Sequence, residues 1–101
     1  MAINYRVKIV TATPYTIATD DEVIMVNIAG PASVILPSSG GSGESKRTLY
    51  IKDYSGLAKT NPITITSAGG KTIDGVSFAI LNGGYSHVQV IYDGTNWMTI
   101  A

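Results

Sequence analysis

The segment that decides the fold is residues 49–97, which contains LYIKD (49–53), ITIT (63–66), GGKTIDG (69–75) and DGTNW (93–97). Its apolar runs are short and rich in β-branched residues, and they alternate with polar residues at the two-residue period of a half-buried β-strand. Glycine, aspartate and asparagine separate the runs, and these residues favour tight turns. The segment therefore predicts short strands joined by turns.

The alternation continues along the rest of the chain. Residues 5–9 alternate apolar and basic side chains, and residues 76–80 carry Val, Phe and Ile at even positions, which predicts that these three face the core. Residues 93–96 predict a tight hairpin before the last strand. About ten such strands predict an all-β fold, an antiparallel β-sandwich or barrel with a jelly-roll-like arrangement. No fixed period recurs, so a solenoid is not expected.

The chain is expected to form a single β-domain over residues 1–101, because this length suits one compact core. Residues 1–13 are expected to form an N-terminal strand or arm. The serine- and glycine-rich residues 38–46 predict a flexible, exposed loop.

Residues 23–28 are apolar on both faces of a predicted strand, so that strand needs cover on two sides. In a domain of this size the second cover can come from another subunit. The sequence therefore predicts a subunit interface at Ile24, Val26 and Ile28.

The composition argues against several classes of partner. Charged residues make up 14% of the chain, with seven basic and seven acidic, and no basic stripe is present, so nucleic acid is not an expected partner. The chain has no cysteine, which excludes disulfides and cysteine-based zinc sites. It has no signal-peptide pattern and no apolar run of about 18 residues, so we expect no membrane partner and synthesis in the cytoplasm.

No catalytic, cofactor-binding or metal-binding residue is predicted, and an enzyme is not expected. His87 is the only histidine and is expected to be a surface or interface residue. The acidic residues 20–22 lack the oxygen spacing of a calcium loop and predict a plain turn. Asp53 and Asp74 are expected to accept backbone N–H groups in turns. Trp97 is expected to anchor a core or an interface rather than to stack on a sugar.

The order of these pieces carries a family resemblance. The patterns YIKD.SG, P.TIT..GGKTIDG and Y..V.V.YDGTNW resemble the small β-domains of tail fibres, head fibres and capsid decoration proteins of tailed bacteriophages. The resemblance covers about half of the chain, and a weaker match extends back through VILP (34–37). None of these motifs specifies a ligand.

The resemblance implies a structural virion protein, and most domains of this type are threefold assemblies. The first hypothesis is a capsid decoration, or cement, protein that binds the head exterior as a homotrimer and stabilises it. The alternative is a tail-fibre or head-fibre module that binds a host-surface receptor or glycan. A fibre protein would carry an adaptor and a shaft before such a domain, whereas the first predicted strand begins within five residues of Met1, which favours decoration.

The expected location is the capsid surface of the virion, and the expected partners are further copies of the chain and the major capsid protein. The predicted capsid or partner contacts are Tyr5, Arg6, Val7, Lys8 and Ile9, because a strand with charged and apolar faces can pair with an edge of the capsid protein. The equal alternative is that this segment is simply an edge strand of its own domain.

Overall fold

The structure is a computed structural model that describes residues 6–18, 21–38 and 47–101. The described residues form β-strands joined by turns, with one short 3-10 helix at Ala68–Gly70. The strands are β1 (Val7–Val10), β2 (Tyr15–Thr16), β3 (Val23–Val26), β4 (Ala32–Leu36), β5 (Thr48–Asp53), β6 (Ile63–Ser67), β7 (Ala79–Leu81), β8 (His87–Tyr92) and β9 (Trp97–Thr99). The prediction of an all-β fold is confirmed.

The strands form two sheets, a five-stranded sheet in the order β1-β3-β5-β8-β9 and a four-stranded sheet in the order β2-β4-β6-β7. From β1 to β6, consecutive strands alternate between the two sheets, and each strand lies parallel to the strand two places earlier. This part of the chain therefore winds as a coil, contributing one strand to each sheet per turn. The remaining strands close both sheets with antiparallel pairings.

The prediction of antiparallel sheets is correct for the pairings made by β7, β8 and β9 and wrong for the four pairings among β1 to β6. This winding also departs from a jelly roll, which is built from antiparallel strands. The turns of the coil differ in length: Val7 lies beside Val23, and Val23 lies beside Tyr50. Because the turns are unequal, the winding leaves no fixed period in the sequence.

The core lies between the two sheets, and strands of both sheets contribute to one cluster of buried apolar side chains. Trp97 is fully buried in this cluster, which confirms its predicted role as an anchor. Its indole N–H donates a hydrogen bond of 3.0 Å to the carbonyl of Pro37, just beyond β4. The ring centroids of Trp97 and Tyr92 lie 5.2 Å apart in a tilted arrangement. These contacts hold the last strand against both layers.

The even-numbered residues of segment 76–80 face outward, which corrects the prediction that they face the core. Val76, Phe78 and Ile80 are 56%, 48% and 47% exposed. For Ile80 the register of β7 on β6 explains this result, because Leu81 lies opposite the buried Ile63 and its neighbour in the strand then faces outward. Val76 and Phe78 precede β7, in a segment where Ser77 is also exposed.

We predict that Ile24→Ala lowers the free energy of unfolding by about 2–5 kcal/mol, because it leaves a cavity at a fully buried position. Ile80→Ala is the matched control: Ile80 is 47% exposed on the four-stranded sheet, and we expect a change within about 0.5 kcal/mol. Urea unfolding followed by tryptophan fluorescence measures both. Equal losses for the two variants would contradict the assignment of faces.

Candidate interaction surface

The outer face of the five-stranded sheet is rich in exposed apolar side chains. The register places Val7 beside Val23 and Val23 beside Tyr50, so the outward residues of neighbouring strands form continuous rows. We call this surface the apolar face and define it by the apolar outward residues of the five strands and of the residue after β9: Val7, Ile9, Val23, Met25, Tyr50, Ile91, Met98 and Ile100. The same face also carries the polar residues Thr48, Lys52, His87 and Gln89 on β5 and β8.

The outer face of the four-stranded sheet has a different chemistry. Its outward residues on the central strands are mainly small and polar, and Thr64 and Thr66 lie opposite Ser33 and Ile35 of the neighbouring strand. Its exposed apolar side chains are concentrated at the β7 edge. Large apolar patches on a soluble domain commonly mark contact sites. The difference between the two faces identifies the apolar face as the candidate interaction surface.

A shallow depression of about 270 Å³ lies on the apolar face and is lined by Val23, Tyr50, Lys52 and His87. The side-chain amide of Gln89 donates a hydrogen bond of 2.7 Å to the Tyr50 hydroxyl. Lys52 donates a hydrogen bond of 2.5 Å to a backbone carbonyl, that of Tyr85. His87 is exposed at its rim, as a surface or interface residue is expected to be.

Strand β1 forms one edge of the five-stranded sheet, which agrees with the prediction of an edge strand in this segment. Val7, Lys8 and Ile9 are exposed, with Val7 and Ile9 at 54% and 48%. Arg6 precedes the strand and is also exposed. Tyr5, the remaining predicted partner contact, lies outside the described residues. Pairing with a capsid strand stays a prediction.

The backbone of β1 presents alternate residues to the open edge. The carbonyls of Arg6 and Val10 accept hydrogen bonds from the N–H groups of Val23 and Asn27 on the β3 side. In a parallel ladder the bonded residues alternate with residues that point the other way. The backbone N–H and C=O groups of Val7 and Ile9 therefore point toward the open edge of the sheet. Their exposed side chains lie on its outer face.

The opposite edge of the same sheet is covered. The N–H of Trp97 donates to the carbonyl of Thr72, and the N–H of Asp74 donates to the carbonyl of Trp97. The Asp74 carboxylate accepts hydrogen bonds from the N–H of Thr99 at 2.8 Å and from its hydroxyl at 2.5 Å. Asp74 thus accepts a backbone N–H as predicted, but the N–H belongs to β9 rather than to its own turn.

The predicted subunit interface residues lie on the inward side of β3. Ile24 and Val26 are 0% and 1% exposed, and Ile28 packs half-buried against the same core. The burial of Ile24 and Val26 agrees with the prediction that this strand needs cover. On the inward side, however, the core of the same chain covers them, not a second subunit. The outward residues of β3 are Val23 and Met25, on the apolar face.

Asp21 and Glu22 accept hydrogen bonds from other parts of the chain as well as from their own turn. The Asp21 carboxylate accepts hydrogen bonds from the N–H of Ala18 at 3.0 Å and from the Tyr15 hydroxyl. Glu22 accepts the N–H of Arg6 at 3.0 Å. Asp20 lies outside the described residues. Within residues 6–18, 21–38 and 47–101, no group of three or more metal-ligating side chains lies together.

Asp53 is the one buried charged or polar residue among the described residues, and it ties two loops together. Its carboxylate accepts hydrogen bonds from the Ser55 hydroxyl at 2.8 Å and from the N–H of Ala58 at 3.0 Å in the loop after β5. It also accepts the N–H of Tyr85 at 3.0 Å in the turn before β8. The sequence predicted a turn cap, and only the link to the second loop was missed.

The hydrogen bonds of Asp53 set its ionisation. Burial raises the pKa of the carboxyl, but hydrogen bonds from the N–H of Tyr85, the Ser55 hydroxyl and the N–H of Ala58 outweigh it, so the pKa lies below its ordinary value of 3.8. The charged form is therefore the one that holds the two loops at neutral pH.

No protein-family model and no curated protein matches this chain. In the part of the chain that the structure describes, no helix has the length and apolar character needed to cross a membrane.

We predict that Asp53→Asn lowers the free energy of unfolding by about 1–3 kcal/mol at pH 7, because it removes a buried charge that accepts three hydrogen bonds. Since the folded-state pKa is depressed, the stabilisation is present above the unfolded pKa of about 3.8 and is lost as the pH falls through the folded value. Urea unfolding of both proteins between pH 7 and pH 2 measures this difference.

The gap in stability between the wild type and Asp53→Asn is expected to narrow below about pH 4. Ser55→Ala, which removes one of the three bonds, should give a smaller loss at pH 7. A gap that stays constant across the acid range would contradict a charged Asp53 in the folded state.

Proposed function

We propose that this chain is a structural protein of a tailed-phage virion, a capsid decoration protein that binds the head exterior as a homotrimer and stabilises it. The proposal depends mainly on the apolar face, because exposed apolar side chains on one sheet favour contact with another protein. The described residues hold no metal-ligating cluster. The phage motifs in residues 49–97 supply the type of assembly. No enzymatic activity is proposed.

The apolar face supports self-association in particular. Met98 and Ile100 are 41% and 54% exposed on β9 and just beyond it, and Val7 and Ile9 are similarly exposed at the other side of the sheet. Covering such side chains removes apolar surface from water, at about 25 cal/mol for each Å². We assign the subunit interface to this face, in place of the buried side of β3.

Decoration by a trimer works through multivalency. Three identical footprints on one rigid assembly bind adjacent capsid subunits together, so the overall affinity exceeds that of a single footprint by factors of about 10²–10⁴. The same bridging opposes the separation of those subunits. A sandwich with one self-associating face and an accessible edge strand is suited to this role.

A second candidate, a fibre module that binds a host-surface glycan, is favoured by two exposed tyrosines. Tyr54 and Tyr85 are 47% and 62% exposed. They lie on the two loops that the Asp53 carboxylate joins, so both are presented from fixed loops. Aromatic rings held in this way can stack on sugars.

We predict that the wild-type chain sediments as a trimer and that Ile100→Asp dissociates it to a folded monomer. The reason is that burying a carboxylate in the subunit interface, with no opposite charge to pair with it, is costly. Ile80→Asp is the matched control, since Ile80 is 47% exposed but lies on the four-stranded sheet. Sedimentation velocity at micromolar concentration measures the three proteins. A stable wild-type monomer would refute the trimer, and dissociation by Ile80→Asp alone would move the interface to the β7 edge.

We predict that the purified protein co-sediments with undecorated heads assembled from the major capsid protein of the same phage, and that bound protein raises the temperature at which the heads break. Ile100→Asp should bind these heads more weakly by about 10²-fold or more, because it loses multivalency. Binding to host cells or surface polysaccharide, without binding to heads, would reject decoration. Loss of that cell binding in Tyr85→Ala would then support the fibre alternative.

A further inference from the structure

The two edges of the five-stranded sheet are treated differently. At the β9 edge, the outward backbone groups of Trp97 and the outward N–H of Thr99 are bonded by Thr72 and Asp74. At the β1 edge, no described strand lies beyond β1. In the other sheet the edge strands are short, two residues in β2 and three in β7. Among the described strands, β1 therefore presents the longest uncovered edge.

This edge has the features of a strand-addition site. Val7 and Ile9 are separated by one residue, and both point their N–H and C=O groups to the open edge. This is the spacing at which a neighbouring strand forms its hydrogen bonds. Their branched side chains are 54% and 48% exposed and extend the apolar face to the edge. An added strand would gain backbone hydrogen bonds and apolar contacts together.

Charge decides against a second copy of β1 as the added strand. Lys8 lies between Val7 and Ile9, is exposed, and holds its ammonium 5.9 Å from the centre of the Tyr15 ring on β2. An antiparallel pairing of β1 with the β1 of another copy that uses both outward residues would place the two Lys8 residues directly opposite each other. Like charges in this position destabilise a pair of strands.

We infer that β1 accepts an extended segment of a partner protein in which acidic residues alternate with apolar ones. The acidic side chains lie beside Lys8, and the apolar side chains lie beside Val7 and Ile9 and continue the apolar face. The inference rests on the proposed function in taking the partner to be another protein of the assembly, and it specifies the chemistry of the segment that this partner supplies.

The experiment uses two short capped peptides, one alternating valine with glutamate and the other alternating valine with lysine. We expect the glutamate peptide to bind about fivefold or more tightly than the lysine peptide, because each opposite-charge pair is favourable and each like-charge pair is not. Two-dimensional NMR of the full chain gives the affinities. The amides of Val7 and Ile9 should shift and exchange more slowly with the glutamate peptide present.

Matched variants separate the edge from general charge attraction. Ile9→Pro removes the outward N–H while keeping the ladder to β3, and it should abolish binding, whereas Ile9→Thr should retain it. Lys8→Glu should reverse the preference between the peptides, and Lys59→Glu, the same charge change in an exposed loop, should not. Circular dichroism confirms that each variant is folded.

Equal binding of the two peptides, or binding that survives Ile9→Pro, would overturn the inference. Protection of the Val7 and Ile9 amides that rises with protein concentration alone in Ile100→Asp, the variant expected to be monomeric, would overturn it in favour of a second copy at the edge. Failure here is distinct from failure of the proposed function: heads that bind the wild type and Ile9→Pro equally reject the edge but keep decoration. Peptide binding without head binding rejects decoration and keeps the edge.

Discussion

The burial of Trp97 joins the two parts of this domain. The first six strands wind between the sheets, and the last three are joined to them by the β5–β8 and β6–β7 ladders within each sheet. The Trp97 side chain adds a contact between the two sheets: its indole N–H reaches the Pro37 carbonyl beyond β4, while its ring packs beside Tyr92 of β8. Its backbone also bonds to Thr72 and Asp74. One residue thus links both sheets and the segment that covers the β9 edge.

Local patterns in the sequence predicted what depends on neighbouring residues. The alternation in residues 49–53 predicted the buried Leu49 and Ile51, and DGTN predicted the hairpin, where the Asp93 carboxylate accepts the N–H groups of Thr95 and Asn96 at 2.8 Å. These features depend on side-chain period and turn chemistry, which a short window contains.

What the sequence did not predict depends on distant pairing. An alternating strand does not specify whether its neighbour runs parallel, so the coil of β1 to β6 was missed. Residues 76–80 do not alternate as expected, since Val76, Ser77 and Phe78 are all exposed; the strand covers only Ala79–Leu81, and the register of β7 on β6 makes Leu81 its inward residue. The predicted contact residues show the same dependence on pairing. Val7 and Ile9, predicted as partner contacts, are exposed, whereas Ile24 and Val26, predicted as a subunit interface, face the core. A strand that is apolar on both sides does not reveal which side a partner can reach.

The covered β9 edge limits how far this molecule can build. A sheet with two open edges can add strands at both, and head-to-tail addition of that kind leads to fibres when it does not close. Here Asp74 occupies the outward N–H of Thr99, so the β9 edge offers no matching site for the β1 strand of a second copy. If β1 accepts a partner strand as proposed, strand addition stops after one partner and each domain binds one segment.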